Sequence, residues 1–372
     1  MARVFHNLKR SLCIANLFTP SRPLLFCKNP HAFKYIRLAS TYRAAILKEY
    51  GTPLQIEELK RKKLKSKEVR VAVHCCGVNA SDLLMVENKY DHKIALPFVP
   101  GFEISGEVLE VGEEVQTLSP GLRVVGLNKE YLGGFSEECV LNEEDLWSID
   151  MAVPFKYGAS LIENYSTALL GLHRRAKIDS SSTILITAAA GGLGLAAVDL
   201  AASVYKAKFC KSQVIGVCGT EDKADLVREK GAWAAIKYNV KHLHKKVEEV
   251  TEGKGVDVIF DAVGGEVFTN SLPCIANEGR VIVAGFASRV IPHIETSQLL
   301  PKAVALIGIS LNHYRITNKE VYRKTSEDVI EMHEMGLIKP HVSAVFSLDE
   351  HQMAFDFISE RKSTGKVVLE IR

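Results

Sequence analysis

The sequence predicts an α/β protein in two parts, a β-rich domain and a doubly wound parallel sheet with helices on both faces. Three observations carry this. Residues 42–146 read as short strands separated by Gly- and Pro-containing turns. From residue 183 to residue 284, apolar strand-like runs alternate with helix-like ones. Between the first such strand, 183–187, and the first such helix, 195–205, stands the small-residue loop Ala188-Ala189-Ala190-Gly191-Gly192-Leu193-Gly194.

The totals set bounds. A chain of 372 residues has room for about two domains. No run of about 18 uninterrupted apolar residues occurs, so no transmembrane helix is predicted. The net charge of +3 is unevenly spread, because nine basic residues and no acid precede Glu49. Beyond that point acids outnumber bases, which argues against nucleic acid as a partner of the body. The Arg-rich, acid-free start, with Ser, Leu and Phe, resembles a mitochondrial transit peptide spanning residues 1–39 and predicts a matrix protein. Cleavage is expected near Arg37-Leu38-Ala39-Ser40. The eight cysteines form no C-x-x-C pair and read as free thiols in a reducing compartment.

Taken in order, strands are expected over 43–47 and 54–58, flanking a Gly51-Thr52-Pro53 turn, and over 68–75, with Val69, Val71 and Val73 on one face. A short helix over 79–87 follows Gly77, then strands over 102–111, 123–126 and 135–141. Residues 158–177 read as helical. Strands at 183–187, 213–217, 234–238, 256–260 and 280–284 then alternate with helices at 195–205, 221–230, 242–251 and 265–275. Residues 303–310 add a strand, and 320–335 a helix outside the sheet domain. Strand-like residues 346–347 and 366–371 close back on the first domain.

The loop's position, after a buried strand and before a helix, suits a dinucleotide. Small residues let backbone approach a pyrophosphate, and the helix N-terminus supplies free N–H groups and a positive dipole end. Ala190, Gly191, Gly192, Leu193 and Gly194 are therefore cofactor-binding candidates. The second strand ends at Gly219-Thr220 without the acid that commonly binds an NAD ribose. Thr220, Lys223 and the pair Lys237-Tyr238 offer donors and cations suited to a 2′-phosphate, so NADPH is favoured over NADH. Glu221 and Asp222 are read as complementing a helix dipole. Asp261-Ala262-Val263-Gly264 and Gly285-Phe286-Ala287 are placed at strand carboxyl ends, bordering the nicotinamide.

Over residues 42–371 the chain resembles the zinc-independent quinone oxidoreductases, of zeta-crystallin type, in the medium-chain dehydrogenase/reductase superfamily. The resemblance rests on Cys76-Gly77-Val78-Asn79-Ala80-Ser81-Asp82, on Pro100-Gly101-Phe102-Glu103-Ile104-Ser105-Gly106-Glu107-Val108, on Val111-Gly112, on the Ala188–Gly194 loop, and on Gly219-Thr220, Gly279-Arg280-Val281 and Gly365-Lys366-Val367. It implies a GroES-like catalytic domain over 40–160 and 311–372, and a Rossmann NADPH-binding domain over 161–310. It also implies a cleft between them, Lys366 as a further cofactor contact, and a homodimer or homotetramer joined by Rossmann–Rossmann contact.

In zinc-containing members of the superfamily two cysteines and a histidine hold the catalytic metal. The matching positions here are Asn79, Phe102 and Asn164, which cannot supply those ligands, so no metal is predicted. Hydride transfer to a quinone or an α,β-unsaturated carbonyl is the activity the resemblance implies. Asn79 is expected to donate its amide N–H to the nicotinamide or the substrate carbonyl, and Tyr90 its hydroxyl to the developing oxyanion. Leu84 stands where many quinone oxidoreductases carry a tyrosine. Two alternatives stay open at this stage: a mitochondrial 2-enoyl thioester reductase, and a low-turnover NADPH-binding protein acting as a regulator or RNA binder.

Overall fold

A computed structural model describes residues 40–90, 93–205, 213–239 and 242–372. The predicted transit peptide, with Cys13 and Cys27, and Cys210 lie outside the described residues. The β-rich part opens with an antiparallel hairpin, β1 (Thr41–Ile46) and β2 (Gln55–Lys60), turned at the predicted Gly51-Thr52-Pro53. Next come β3 (Glu68–Val78), the short helix Ala80–Val86, β4 (Glu103–Val111), β5 (Arg123–Leu127), β6 (Glu138–Asn142) and β7 (Leu146–Ser148). β3 is nearly all buried, its polar residues included. Arg70 can be covered because it pairs with Glu110 at 3.1 Å and with Glu138 at 3.8 Å.

The predicted helical run over 158–177 is divided. A single turn, Phe155–Gly158, precedes the helix Ile162–Leu169, which passes into a π-helical segment, Leu170–Arg175. The parallel sheet follows: β8 (Ile184–Ile186), β9 (Val214–Cys218), β10 (Ala234–Lys237), β11 (Val256–Asp261), β12 (Ile275–Val283) and β13 (Ala305–Gly308). Its strand order is β10-β9-β8-β11-β12-β13, all parallel, so the order reverses beside β8. Ligands bind at such a reversal, outside the strands' carboxyl ends. Four helices make the crossovers: Gly192–Val204, Glu221–Glu229, Leu243–Thr251 and Gly265–Ser271. The last is shorter than predicted, because Pro273 cannot continue an α-helix; a 3-10 turn, Leu272–Cys274, leads directly into β12.

After β13 the chain forms a helix the sequence reading did not foresee, Leu311–Thr317, and then the long helix Lys319–Glu334. The latter is docked on the β-rich part: Tyr322 lies edge-on to Trp147 at 5.4 Å, and its hydroxyl reaches Asp145 at 3.2 Å. β14 (Val342–Ser347), the helix His351–Ser359 and β15 (Lys366–Glu370) complete the chain's elements. β3 pairs with β4 along one edge. Along the other it takes β6 over residues 68–72 and β15 over residues 75–78.

The β3–β4 pairing depends on Gly106. A Cβ there would stand 1.9 Å from the Ala72 carbonyl oxygen, and backbone cannot yield as a side-chain tip can. Gly106→Ala is expected to cost about 2–3 kcal/mol of stability, read as a lowered unfolding midpoint in denaturant; a change below about 0.5 kcal/mol would contradict the packing described.

Candidate active-site cleft

Beside β8 the small-residue loop takes a fixed shape. Ala188 is in the left-handed region at φ 44°, and its carbonyl accepts the Gly191 N–H at 2.8 Å. A Cβ on Gly194 would lie 2.2 Å from that same carbonyl oxygen, and one on Gly192 would lie 2.8 Å from Asn164 Nδ2. Gly194 is thus demanded by the loop's own backbone, whereas at Gly192 the near neighbour is the tip of the Asn164 side chain, which can yield. The 13-residue helix that starts here has no side-chain cap and no acid in its first turn. Its positive end is left uncompensated, which fits a nucleotide's diphosphate.

The far end of a nucleotide would meet the tip of β9. Gly219 has open space where a Cβ would be. Thr220 caps the next helix, its hydroxyl accepting the Lys223 N–H at 3.4 Å. Glu221, the nearest acid, pairs with Arg228 at 3.0 Å. Lys223 Nζ donates to the Arg361 carbonyl at 2.6 Å. Burial and the neighbouring Arg361 charge hold the Lys223 ammonium below its usual pKa. Arg361, which belongs to no local motif and was not among the expected residues, meets Lys223 from the turn after the helix His351–Ser359. Tyr238 accepts a hydrogen bond from Asn270 Nδ2 at 3.1 Å.

The two turns predicted to border the nicotinamide are laced together. Ala287 N–H donates to the Ala262 carbonyl at 3.1 Å, and Ser288 N–H to that of Val263 at 2.9 Å. Asp261 braces them: its carboxylate accepts from the Thr187 hydroxyl at 2.6 Å and the Gly264 N–H at 2.8 Å, while burial pushes its pKa up. Gly285 leads into Phe286, which is 40% exposed. Just beyond, Arg289 grips Glu87 of the catalytic domain at 2.7 and 3.1 Å. That bidentate pair also went unforeseen.

Facing the loop is a buried group of three side chains, Asn79, Glu103 and Lys366. Lys366 Nζ donates to Asn79 Oδ1 at 2.7 Å and to Glu103 Oε2. Asn79 Nδ2 donates to Glu103 Oε2 at 3.2 Å and to the Gly77 carbonyl at 3.4 Å. An ammonium can only donate, so it must face the amide oxygen, and this fixes which way Asn79 points. Both Asn79 N–H bonds are therefore committed within the protein, where the sequence reading had them free for the nicotinamide or substrate. Lys366, expected at the cofactor, is brought to Asn79 and Glu103. Gly77 makes room for it: a Cβ there would lie 2.6 Å from Lys366 Cε and 2.2 Å from the Ala159 carbonyl oxygen. Asp82 lies beneath, accepting from the Asn79 and Gly101 N–H groups at 2.8 and 3.1 Å. Complete burial pushes its pKa up to about 7, against the pull of those N–H groups and of Lys129 and Lys366.

Phe102 is fully buried, with the Lys129 ammonium 3.6 Å from its ring centroid. Leu84 is half-buried on the helix Ala80–Val86, and Tyr90 packs half-buried against the main core. Among the described residues no three His, Cys, Asp or Glu side chains are placed to hold a metal ion.

Residues 65–152, in the β-rich part, match the family described as "Alcohol dehydrogenase GroES-like domain", and residues 192–330 match "Zinc-binding dehydrogenase". Quinone oxidoreductase-like protein 2 homolog of Nematostella vectensis is 44% identical over 89% of this chain and 90% of its own length. Quinone oxidoreductase-like protein 2 of Bos taurus is 38% identical over 89% of this chain and 93% of its own. Among solved structures, Escherichia coli quinone oxidoreductase complexed with NADPH superposes with a TM-score of 0.79 at 26% identity, covering 89% of this chain and 100% of that one.

Gly194→Ala tests the loop. It is expected to weaken nicotinamide-nucleotide binding at least about tenfold, measured by quenching of intrinsic fluorescence, with the unfolding midpoint showing the protein still folded. Unchanged affinity would mean the loop does not hold the nucleotide.

Proposed function

The chain belongs to the quinone oxidoreductase branch of the medium-chain dehydrogenase/reductase superfamily, and on that premise we propose that it reduces quinones or α,β-unsaturated carbonyls with NADPH and without zinc. The observation that carries the reading is the make-up of the cleft. The positions that match zinc ligands hold Asn79, Phe102 and Asn164, and a buried ammonium, Lys366, sits on the Asn79 amide. One family description names zinc, yet a phenyl ring and two amides give that ion no thiolate or imidazole.

Bound NADPH supplies the hydride. The chain's own residues do the rest. The Gly191–Gly194 turn receives the diphosphate, and the laced turns at Asp261 and Gly285 close the nicotinamide end. Leu84 and Phe286 keep the acceptor's surroundings apolar and exclude water. Tyr90 donates a hydrogen bond from its neutral O–H to the oxygen on which charge develops. Oxidation of a simple alcohol would need a group that acidifies the hydroxyl, and the zinc-ligand positions provide none. Preference for NADPH is supported by Lys223, whose ammonium rests on the Arg361 carbonyl past the tip of β9 and senses the Arg361 charge. It is supported too by the NADPH complex of the structural relative.

The direct test is NADPH oxidation by full-length protein across a panel of quinones, enals and crotonyl thioesters, with and without a strong chelator. Turnover of quinones or enals, unaffected by chelator and with no stoichiometric zinc, is expected. Oxidation with crotonyl thioesters alone would replace the acceptor class, and loss of activity on chelation would end the zinc-free reading. For the nucleotide, the double variant Lys223→Ala/Arg361→Ala is expected to raise the Kd for NADPH about tenfold or more while shifting that for NADH less than about twofold. Equal losses for both nucleotides would remove the 2′-phosphate assignment.

A further inference from the structure

A second buried ammonium lies in the same cleft. Lys129 follows β5, and its side chain is only 8% exposed. Its backbone is held from the preceding residue: Asn128 N–H donates to the Phe102 carbonyl at 2.6 Å, and Asn128 Nδ2 donates to the Leu132 and Val140 carbonyls. From this fixed origin the ammonium reaches over the Phe102 ring, at 3.6 Å, and meets Glu163 Oε1 at 2.8 Å. Burying a lysine head costs free energy unless it is paired, and solvent offers the side chain a cheaper place. Both contacts point inward. Phe102 is one of the three residues at zinc-ligand positions, so the chain itself keeps a buried ammonium, paired with Glu163, beside that place.

Glu163 ties this ammonium to the rest of the cleft. Its N–H donates to Glu103 Oε1 at 3.0 Å, which joins it to the Asn79–Glu103–Lys366 group. The next residue, Asn164, is the one whose amide bears on Gly192 of the phosphate loop. Glu163, and through it Lys129, is thus linked to the buried triad, while its neighbour Asn164 lies against the small-residue loop. Glu163 Oε2 is buried and has no hydrogen-bond partner. Buried carboxylate oxygens are rarely left so.

We infer that Lys129, anchored by Glu163, faces the acceptor, takes up the negative charge that appears on its oxygen, and supplies that oxygen's proton; this rests on the reductase reading above. When hydride reaches the electrophilic carbon of the acceptor, a C–H bond forms and the displaced π electrons move to the carbonyl oxygen. An N–H bond of Lys129 then breaks as the O–H bond forms. The neutral amine left behind takes a proton from water, so acceptor, hydride and one proton give the reduced product. A preformed charge in a site shielded from water stabilises a developing oxyanion more than solvent does.

The test uses 4-nitrophenol, whose ionised form is yellow, as a stable oxyanion. It is titrated into the full-length protein across a pH series without any turnover. The wild type is expected to bind the phenolate and to lower the apparent pKa of the bound phenol by about one unit or more relative to the free phenol. Lys129→Arg, which keeps the charge, should retain most of that shift, whereas Lys129→Met and Lys129→Gln should abolish it with the far-ultraviolet circular dichroism unchanged. No saturable phenolate binding by the wild type, no lowering of its pKa, or an equal lowering in a folded neutral variant would each overturn the assignment. Should both neutral variants fail to fold, the wild-type titration and Lys129→Arg still decide it. A protein that binds phenolate through Lys129 yet reduces no acceptor would sink the reductase reading and the proton transfer with it, and would leave only the oxyanion-binding role of Lys129.

Discussion

The ion pair between Lys366 and Glu103 is the contact on which the cleft is built. Both side chains are almost wholly buried, at 4% and 0% exposure. Glu103 uses both oxygens, one on the Glu163 N–H and the other on Asn79 and Lys366. Four segments remote in sequence therefore converge on one carboxylate: the end of β3, the start of β4, the helix Ile162–Leu169 and the start of β15. Breaking such a pair by removing one partner strands the other charge, at a cost of about 3–5 kcal/mol. The glycine at position 77 follows from the same contact, since the lysine stem passes where its side chain would be.

The pair also connects the catalytic domain to the nucleotide loop. Gly365 directly precedes Lys366, and its N–H donates to the Ala190 carbonyl at 2.7 Å, while Gly191 and Gly365 form a parallel bridge. One peptide thus touches the phosphate loop on one side and carries the buried ammonium on the other. A second tie lies deeper: Asp199, on the helix that begins at the loop, accepts from the Tyr165 hydroxyl and the Lys339 N–H, each at 2.7 Å. The small-residue loop and the triad are parts of one hydrogen-bonded arrangement.

How much of this could be read from the sequence depends on the range of the interaction. The small-residue loop is a local device, with strand, small residues and helix contiguous in the chain, so its position and element types were legible. The two-part architecture was legible for the same reason, from the change of periodicity between residues 146 and 183. Helix ends were less so, and Pro273 cut short a helix that an apolar pattern alone would have extended. The roles of Asn79 and Lys366 were not legible. Their hydrogen bond spans 287 residues, and nothing near either residue announces it. An asparagine beside a turn reads as a free donor until a lysine is brought to its oxygen. Arg361, Arg289 and Lys129 were missed likewise, as each gains meaning only from a partner in another part of the fold.

The bridge at Gly365 has a consequence for how the molecule is assembled. β15 is made after every other element, yet it fills the free edge of β3 over residues 75–78, brings the lysine to Glu103, and pins the phosphate loop through Ala190. Pairings of such long sequence separation close late, because the entropy of the intervening loop must first be overcome. Until that strand docks, Glu103 lies buried without its counter-charge and the loop lacks its tie. Docking of β15 therefore closes the edge of β3, neutralises Glu103 and ties down the small-residue loop in one step rather than three.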